Sequence, residues 1–154
     1  MSVTFEPLTD ADVLEMSEKM RPMDVFEFEQ MSPDVSVLNV LKHLKNKSVR
    51  ARCGRVDGEL VAVYGVLAPT LLSHEGNPWM AATSAVERSD IRRIFLEHTM
   101  HEVAWLAEGF DALWNVCSVD NKIAIRWLKW IGFQFEDTIV DVRGHPFQRF
   151  YAGV

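Results

Sequence analysis

Cysteine is scarce in this chain: two among 154 residues, Cys53 and Cys117, each set in an apolar run. Two thiols so placed make neither a disulfide framework nor a metal set, so they are expected as small buried hydrophobes in a reducing compartment. Positive charge is in deficit too. Sixteen Lys and Arg stand against 22 Asp and Glu, for a formal charge of -6 and a pI near 5.3. That balance argues against a surface built to neutralise nucleic-acid phosphates. Long hydrophobic runs are missing: the longest, Leu60 to Ala68, falls far short of the roughly 20 residues of a membrane-spanning helix. The opening MSVTFEPLTDADV has no basic segment leading into an apolar one, so a soluble chain without a secretory leader is expected. Repeats and low-complexity linkers are absent as well. What is present, 48% apolar residues, suffices for one core and a single domain over 1–154.

Local signals order the elements. VTFEPL alternates as a strand does, and Thr9 with Asp12 three residues on forms an acidic capping box for a helix from about Asp10 to Met20. After Pro22, MDVFEFEQM reads either as a bent second helical segment or as an irregular arm. SPDVSVLNVLKHLKNKS predicts a helix capped by Ser32 with Pro33 at its first position, Val37, Leu38, Leu41 and Leu44 on one face, and lysines near its C-terminal end. Asp57-Gly58 between two strand-like runs predicts a hairpin. Gly76, Asn77 and Pro78 read as a loop before a short strand, WMAATSAV. A long helix follows, with Ile91, Ile94, Phe95 and Leu106 on its apolar face and a stop at Gly109. ALWNVCSV is a buried strand, VDNKIAIRWLKWIGF a short helix, and two more strands flank Gly144 and Pro146. This order predicts an α/β domain with a mixed sheet.

The segment NKIAIRWLKWIGF, with Asn121, Ala124, Ile125, Arg126, Gly132 and Phe133 in place, resembles the helix after the asparagine-ended strand of the GNAT superfamily of acetyl-CoA-dependent acetyltransferases. The resemblance implies a mixed, mostly antiparallel sheet of six to seven strands flanked by about four helices, and acetyl-CoA as cofactor with no metal. It further implies that the backbone around Thr83, Ser84, Ala85 and Val86 binds pantetheine, while Asn121 and a turn containing Arg88, Ser89, Arg92 and Arg93 hold the rest of CoA. Two departures accompany it. Where the superfamily has a glycine-rich phosphate loop, this chain has VERSDIRRI with no glycine, and the position of the family's tyrosine acid is Leu128, which has no proton to give. No catalytic residue is therefore assigned. A stretch from NPWMAATSAV to GFQFED is similar, more narrowly, to the small GNAT-like proteins of tailed podophages, the group that includes internal virion protein A of T7-like phages. That likeness implies a phage origin, a place in the host cytoplasm or the virion, and a phage or host protein as partner.

Each candidate also has a plainer role. Asn121 is either a cofactor contact or a helix cap. Ser89, capping the long helix, together with Arg88, Arg92 and Arg93, makes either an altered anion site or a solvated helix start, and arginines there oppose the helix dipole unless an anion is bound. His98 and His101 lie one turn apart without a third ligand, so they are expected to be structural, and His98 and Glu102 are expected to pair with each other or with a neighbouring strand. Asp24, Glu27 and Glu29 would draw a cationic acceptor or form a solvated face, and Phe26 and Phe28 cannot both face inward on a helix. Two functions follow: an N-acetyltransferase relying on positioning, and a virion or assembly protein that kept the scaffold and docks through its acidic aromatic arm and Trp-rich C-terminal half. The observation that separates them is whether the gap between the strands ending near Val86 and Cys117 is open or plugged by side chains. Homo-oligomerisation fits either.

Overall fold

The computed structural model describes residues 1–153. Seven strands form one sheet: β1 (Val3–Pro7), β2 (Arg50–Val56), β3 (Glu59–Leu67), β4 (Glu75–Ala82), β5 (Ala112–Ser118), β6 (Gln134–Val142) and β7 (His145–Gly153). They lie in the order β1-β2-β3-β4-β5-β7-β6, and every neighbouring pair is antiparallel except β4 and β5. Five helices flank the sheet: α1 (Asp10–Lys19), α2 (Pro22–Met31), α3 (Val37–Lys47), α4 (Ser89–Ala107) and α5 (Lys122–Trp130). A 3-10 turn, Ser84–Glu87, joins β4 to α4.

Two cores sit on opposite faces of the sheet. One packs α1 and α3 through Val13, Met16 and Leu41 against Cys53, Leu60, Val63 and Trp79. The other packs α4 and α5 through Ile91, Phe95, Leu106 and Trp127 against Val61, Tyr64, Leu113 and Phe150. Burial pushes the thiols of Cys53 and Cys117 up to about 12, so both are inert hydrophobes at neutral pH. Gly65 is required where it stands: a β-carbon there would lie 2.8 Å from the Arg50 carbonyl and 2.9 Å from Trp79 Nε1.

Local signals came through where the chain forms a turn or a cap. The Thr9–Asp12 capping box is formed in both directions. Asp57 and Gly58 take φ of 49° and 83°, the paired positive values of a type I′ turn. Arg143 and Gly144 repeat the device between β6 and β7. MDVFEFEQM is helical, as α2. Phe28 joins the core beside α3 while Phe26 meets the edge of His145 at 4.6 Å, so the two phenylalanines divide between neighbours.

Four expectations are corrected. Ser32 and Pro33 do not start α3: Asp34 takes a positive φ of 66°, and Ser36 caps instead by accepting from the Asn39 N–H. Gly76, Asn77 and Pro78 lie inside β4, where Gly76 has no room for a β-carbon because Val66 Cγ2 would be 2.8 Å away. Ser89 is the first residue of α4 rather than its cap, which is Arg88 without a side-chain bond. The strand expected through Val86 ends at Ala82, since Thr83 bonds the Leu60 carbonyl and turns the chain.

Candidate functional site in the gap between β4 and β5

Parallel pairing of β4 with β5 covers only Glu75↔Ala112 and Gly76↔Leu113. Pro78 then has no N–H to offer the ladder. Side chains replace it for one step: Asn77 Nδ2 donates to the Trp114 carbonyl at 2.9 Å and Asn115 Nδ2 to the Pro78 carbonyl at 2.7 Å. Beyond that pair of clamps the strands diverge, and the gap is bordered by Met80 and Ala82 on one side and Val116 and Cys117 on the other.

At its far end the gap is latched by α2. Met20 bridges antiparallel to Thr83, and the Arg21 N–H donates to the Ala82 carbonyl at 2.8 Å. Asp24 Oδ2 accepts the Ala82 N–H at 2.8 Å, so both backbone groups of Ala82 are used. The Arg21 guanidinium, 4% exposed, donates through Nη2 to Asp24 Oδ1 at 2.8 Å and to Asn121 Oδ1 at 3.0 Å. Glu27 Oε1 accepts from the Ser118 N–H at 2.9 Å and from Asn121 Nδ2 at 3.0 Å. One polar network thus ties α2 to β4, to β5 and to the start of α5. Its members from α2 are spaced i, i+3 and i+6, a helical-face pattern that could have marked Arg21, Asp24 and Glu27 as a set.

Burial raises the Glu27 carboxyl above its ordinary 4.5 despite the bonds from Asn121 and Ser118. A raised acid holds its proton longer in the folded state, so folding is favoured below the ordinary value and loses stability as pH rises through the folded one. Glu27→Gln should flatten that decline, seen as urea midpoints that fall less between pH 4.5 and 8 than those of the parent. An unchanged slope would mean that Glu27 titrates as it does in the unfolded chain.

The cofactor residues suggested by the sequence are dispersed. Asn121 caps α5 through the Ala124 N–H, accepts from Arg21 on the same oxygen and donates one of its two amide N–H groups to Glu27. Ser84 is exposed, Ala85 and Val86 are buried, and their 3-10 turn bonds within itself, Val86 N–H to Thr83 and Arg88 N–H to Ala85. Arg88 pairs with Glu59. Ser89 and Arg93 are exposed and Arg92 is half-buried, and among the described residues neither Arg92 nor Arg93 has an ion-pair partner. Leu128 lines the gap in the position expected for a tyrosine acid. Trp127 lines it as well, its ring 5.9 Å from Phe95, whereas Trp130 is exposed and Trp114 lies under Arg149.

Two other constellations are structural. Glu102 accepts from Arg52 and Tyr64 on the neighbouring strands, and His98 packs on Phe5 of β1 at 5.6 Å. Burial and the Glu102 bond push the Tyr64 hydroxyl well above its usual range, so it stays a donor. Ser118 Oγ and Asp120 Oδ2 both meet His145, at 3.1 and 3.2 Å, but through the same ring nitrogen, Nε2. An imidazole so arranged cannot take a proton from one partner while the other orients it, and Ser118 is fully buried. Among the described residues no group of three side chains could hold a metal, and no helix is long and apolar enough to cross a membrane.

The architecture is that of the GNAT acetyltransferases. The chain is similar to AAC(6')-Ib in complex with ribostamycin and coenzyme A, with TM-score 0.72, 15% identity, and coverage of 99% of this chain and 94% of that one. It is similar to RimL, a ribosomal L7/L12 alpha-N-protein acetyltransferase in complex with coenzyme A, with TM-score 0.69, 12% identity, and coverage of 100% and 95%. A putative acetyltransferase of Salmonella typhimurium, yncA, with its cofactor acetyl-CoA, gives TM-score 0.66, 11% identity, and coverage of 99% and 94%. No protein-family model and no curated protein matches the sequence.

Proposed function

We propose that this chain is a phage-type GNAT-fold protein that keeps the acetyltransferase scaffold without its acetyl-CoA chemistry and acts by protein contact, as a virion-associated or assembly component. One observation carries the reading: the backbone of Ala82, at the end of β4 next to the Thr83–Val86 stretch where the resemblance puts pantetheine, is taken by the chain's own Arg21 N–H and Asp24 carboxylate. The residues do not fit that cofactor there. Asn121 has its amide oxygen filled by Arg21 and Ala124 and one of its two amide N–H groups given to Glu27, the turn into α4 lacks glycine for close phosphate approach, and Leu128 supplies no acid. Exposed apolar side chains favour contact with a partner, a phage or host protein or a second copy. Leu71 and Leu72 are fully exposed between β3 and β4, and Trp130 and Ile139 are more than half exposed.

A transferase reading has two observations in its favour: the gap between β4 and β5 holds an open cavity of about 450 Å³ rather than a side-chain plug, and Arg92 and Arg93, without ion-pair partners among the described residues, flank an uncapped helix start where an anion would offset their opposition to the dipole. Calorimetric titration with acetyl-CoA and with free CoA decides. The scaffold reading expects no heat up to millimolar ligand in folded protein. Micromolar binding that an Arg92→Ala, Arg93→Ala double variant weakens would overturn it and restore an N-acetyltransferase.

A further inference from the structure

The sheet ends in two edge strands, β1 and β6. β1 is five residues long and closes on Pro7, a residue that blunts an edge. β6 runs nine residues without proline and is β-branched at Thr138, Ile139, Val140 and Val142, with Ile139 51% and Val140 39% exposed. The turn at Arg143 and Gly144 sets which of its backbone groups are free. A two-residue type I′ loop is flanked by a hydrogen-bonded pair, here Val142 and His145, and bonded pairs alternate with non-bonded ones along an antiparallel ladder. Asp141 with Pro146 and Ile139 with Gln148 therefore turn their N–H and C=O groups away from each other. Pro146 agrees: it has no N–H, and its carbonyl accepts from the Val119 N–H on the β5 side at 3.2 Å. The backbone groups of Ile139 and Asp141 thus face outward, where the sheet has no further strand.

An unpaired run of this kind is a template for another strand, and its charges select which one. Among the described residues Asp137, Asp141 and Arg143 have no ion-pair partner. When β6 meets β6 of a second copy antiparallel, outward groups face outward groups if the two-fold axis passes at Ile139, Val140 or Asp141. An axis at Ile139 sets Asp137 opposite the partner's Asp141, and an axis at Asp141 sets that residue opposite itself; like charges so placed oppose pairing. An axis at Val140 sets Asp137 opposite the partner's Arg143 and leaves the two Asp141 carboxylates diagonal to each other. Val140 then faces its own copy in a non-hydrogen-bonded pair, where side chains lie closest. We propose that β6 is a homodimer edge, at which two copies join antiparallel about a two-fold axis at Val140 and continue one sheet through both chains. The pairing uses no residue of the gap between β4 and β5, so it goes beyond the scaffold reading and holds whether or not CoA binds.

Sedimentation velocity over a concentration series reads the dimer, and the parent should pass from the monomer mass toward twice that mass as concentration rises. Asp137→Arg and Arg143→Asp each set like charges opposite one another at two symmetry-related places, so each should weaken the dimer about tenfold. The double variant restores opposite charges with their signs exchanged and should recover the parent's association. Arg143→Asp keeps the turn, because Asp-Gly is itself a type I′ pair. Ile139→Pro removes an outward N–H that β7 does not use, so it should abolish the dimer while the urea midpoint of the monomer stays near that of the parent. If Ile139→Pro does not fold, the charge exchange decides. A parent that keeps the monomer mass up to its solubility limit overturns the proposal. So does a dimer that a folded Ile139→Pro leaves intact, or one that the single charge variants do not weaken and the double variant does not restore. A CoA titration of either sign leaves these outcomes unchanged.

Discussion

Arg21→Met should lower the stability of the fold by about 3–5 kcal/mol at pH 7, the loss expected when one partner of a buried charge group is removed. Methionine keeps the apolar stem and the backbone N–H that reaches Ala82, so the change falls on the guanidinium alone. What it leaves behind is the cost. Asp24, 6% exposed, loses its cation, Glu27 loses a nearby positive charge, and Asn121 Oδ1 loses one of its two donors. With a urea dependence of about 2 kcal/mol per molar, the midpoint should fall by about 2 M. Adding Asp24→Asn should return part of the loss, because the asparagine can still accept from the Ala82 N–H without a charge to leave unpaired. The two changes should then couple by about 1–3 kcal/mol in a double-mutant cycle. Strict additivity, or a loss under about 1 kcal/mol, would show a guanidinium screened by water and a gap that α2 does not latch.

That latch is also where reading from the sequence stopped. Signals that act within four or five residues were legible: the Thr9–Asp12 box, the Asp57-Gly58 turn, and the helix from Asn121 to the positive-φ Gly132 each depend on a dihedral or a cap that a short stretch dictates. Competing signals were not. Ser32-Pro33 and Ser36 are both acceptable helix starts, and the left-handed Asp34 between them decides for the second. Gly-Asn-Pro reads as a loop because each residue is a turn former. Here all three serve a strand: Gly76 admits Val66 and Leu113, Asn77 clamps β5, and Pro78 ends the ladder where the strands must part. The network itself joins positions 100 residues apart in sequence, Arg21 and Asn121. The sequence displays an acidic aromatic arm, but only the packing of α2 across β4 turns Asp24 and Glu27 inward. The side chains that latch α2 to β4 and β5, Arg21, Asp24 and Glu27, also line the gap between those strands.

Asn121 tests whether that closure is structural in its own right. As a helix cap alone, it should cost about 1 kcal/mol on replacement by alanine. As the joint of the network, its removal leaves the Arg21 guanidinium and the Glu27 carboxylate each one bond short in buried surroundings. At about 1–3 kcal/mol for each buried group left unsatisfied, Asn121→Ala should cost about 2–4 kcal/mol in all. Aspartate separates the two roles further. It caps a helix as well as asparagine does and can still accept from Arg21, but it has no N–H for Glu27 and sets a second carboxylate beside the first. That neighbour should raise the Glu27 carboxyl further, so that Glu27 keeps its proton and donates it to the new aspartate. Stability of Asn121→Asp should therefore fall more steeply with rising pH above 4.5 than that of the parent, while Asn121→Ala, which removes the bond that holds the Glu27 carboxyl down but adds no second carboxylate, should steepen less. Urea midpoints measured across pH 4.5 to 8 read both variants at once. Equal slopes, with aspartate as stable as asparagine, would reduce Asn121 to a cap and leave its bonding capacity free for a ligand, which is the arrangement an acetyl-CoA site would need.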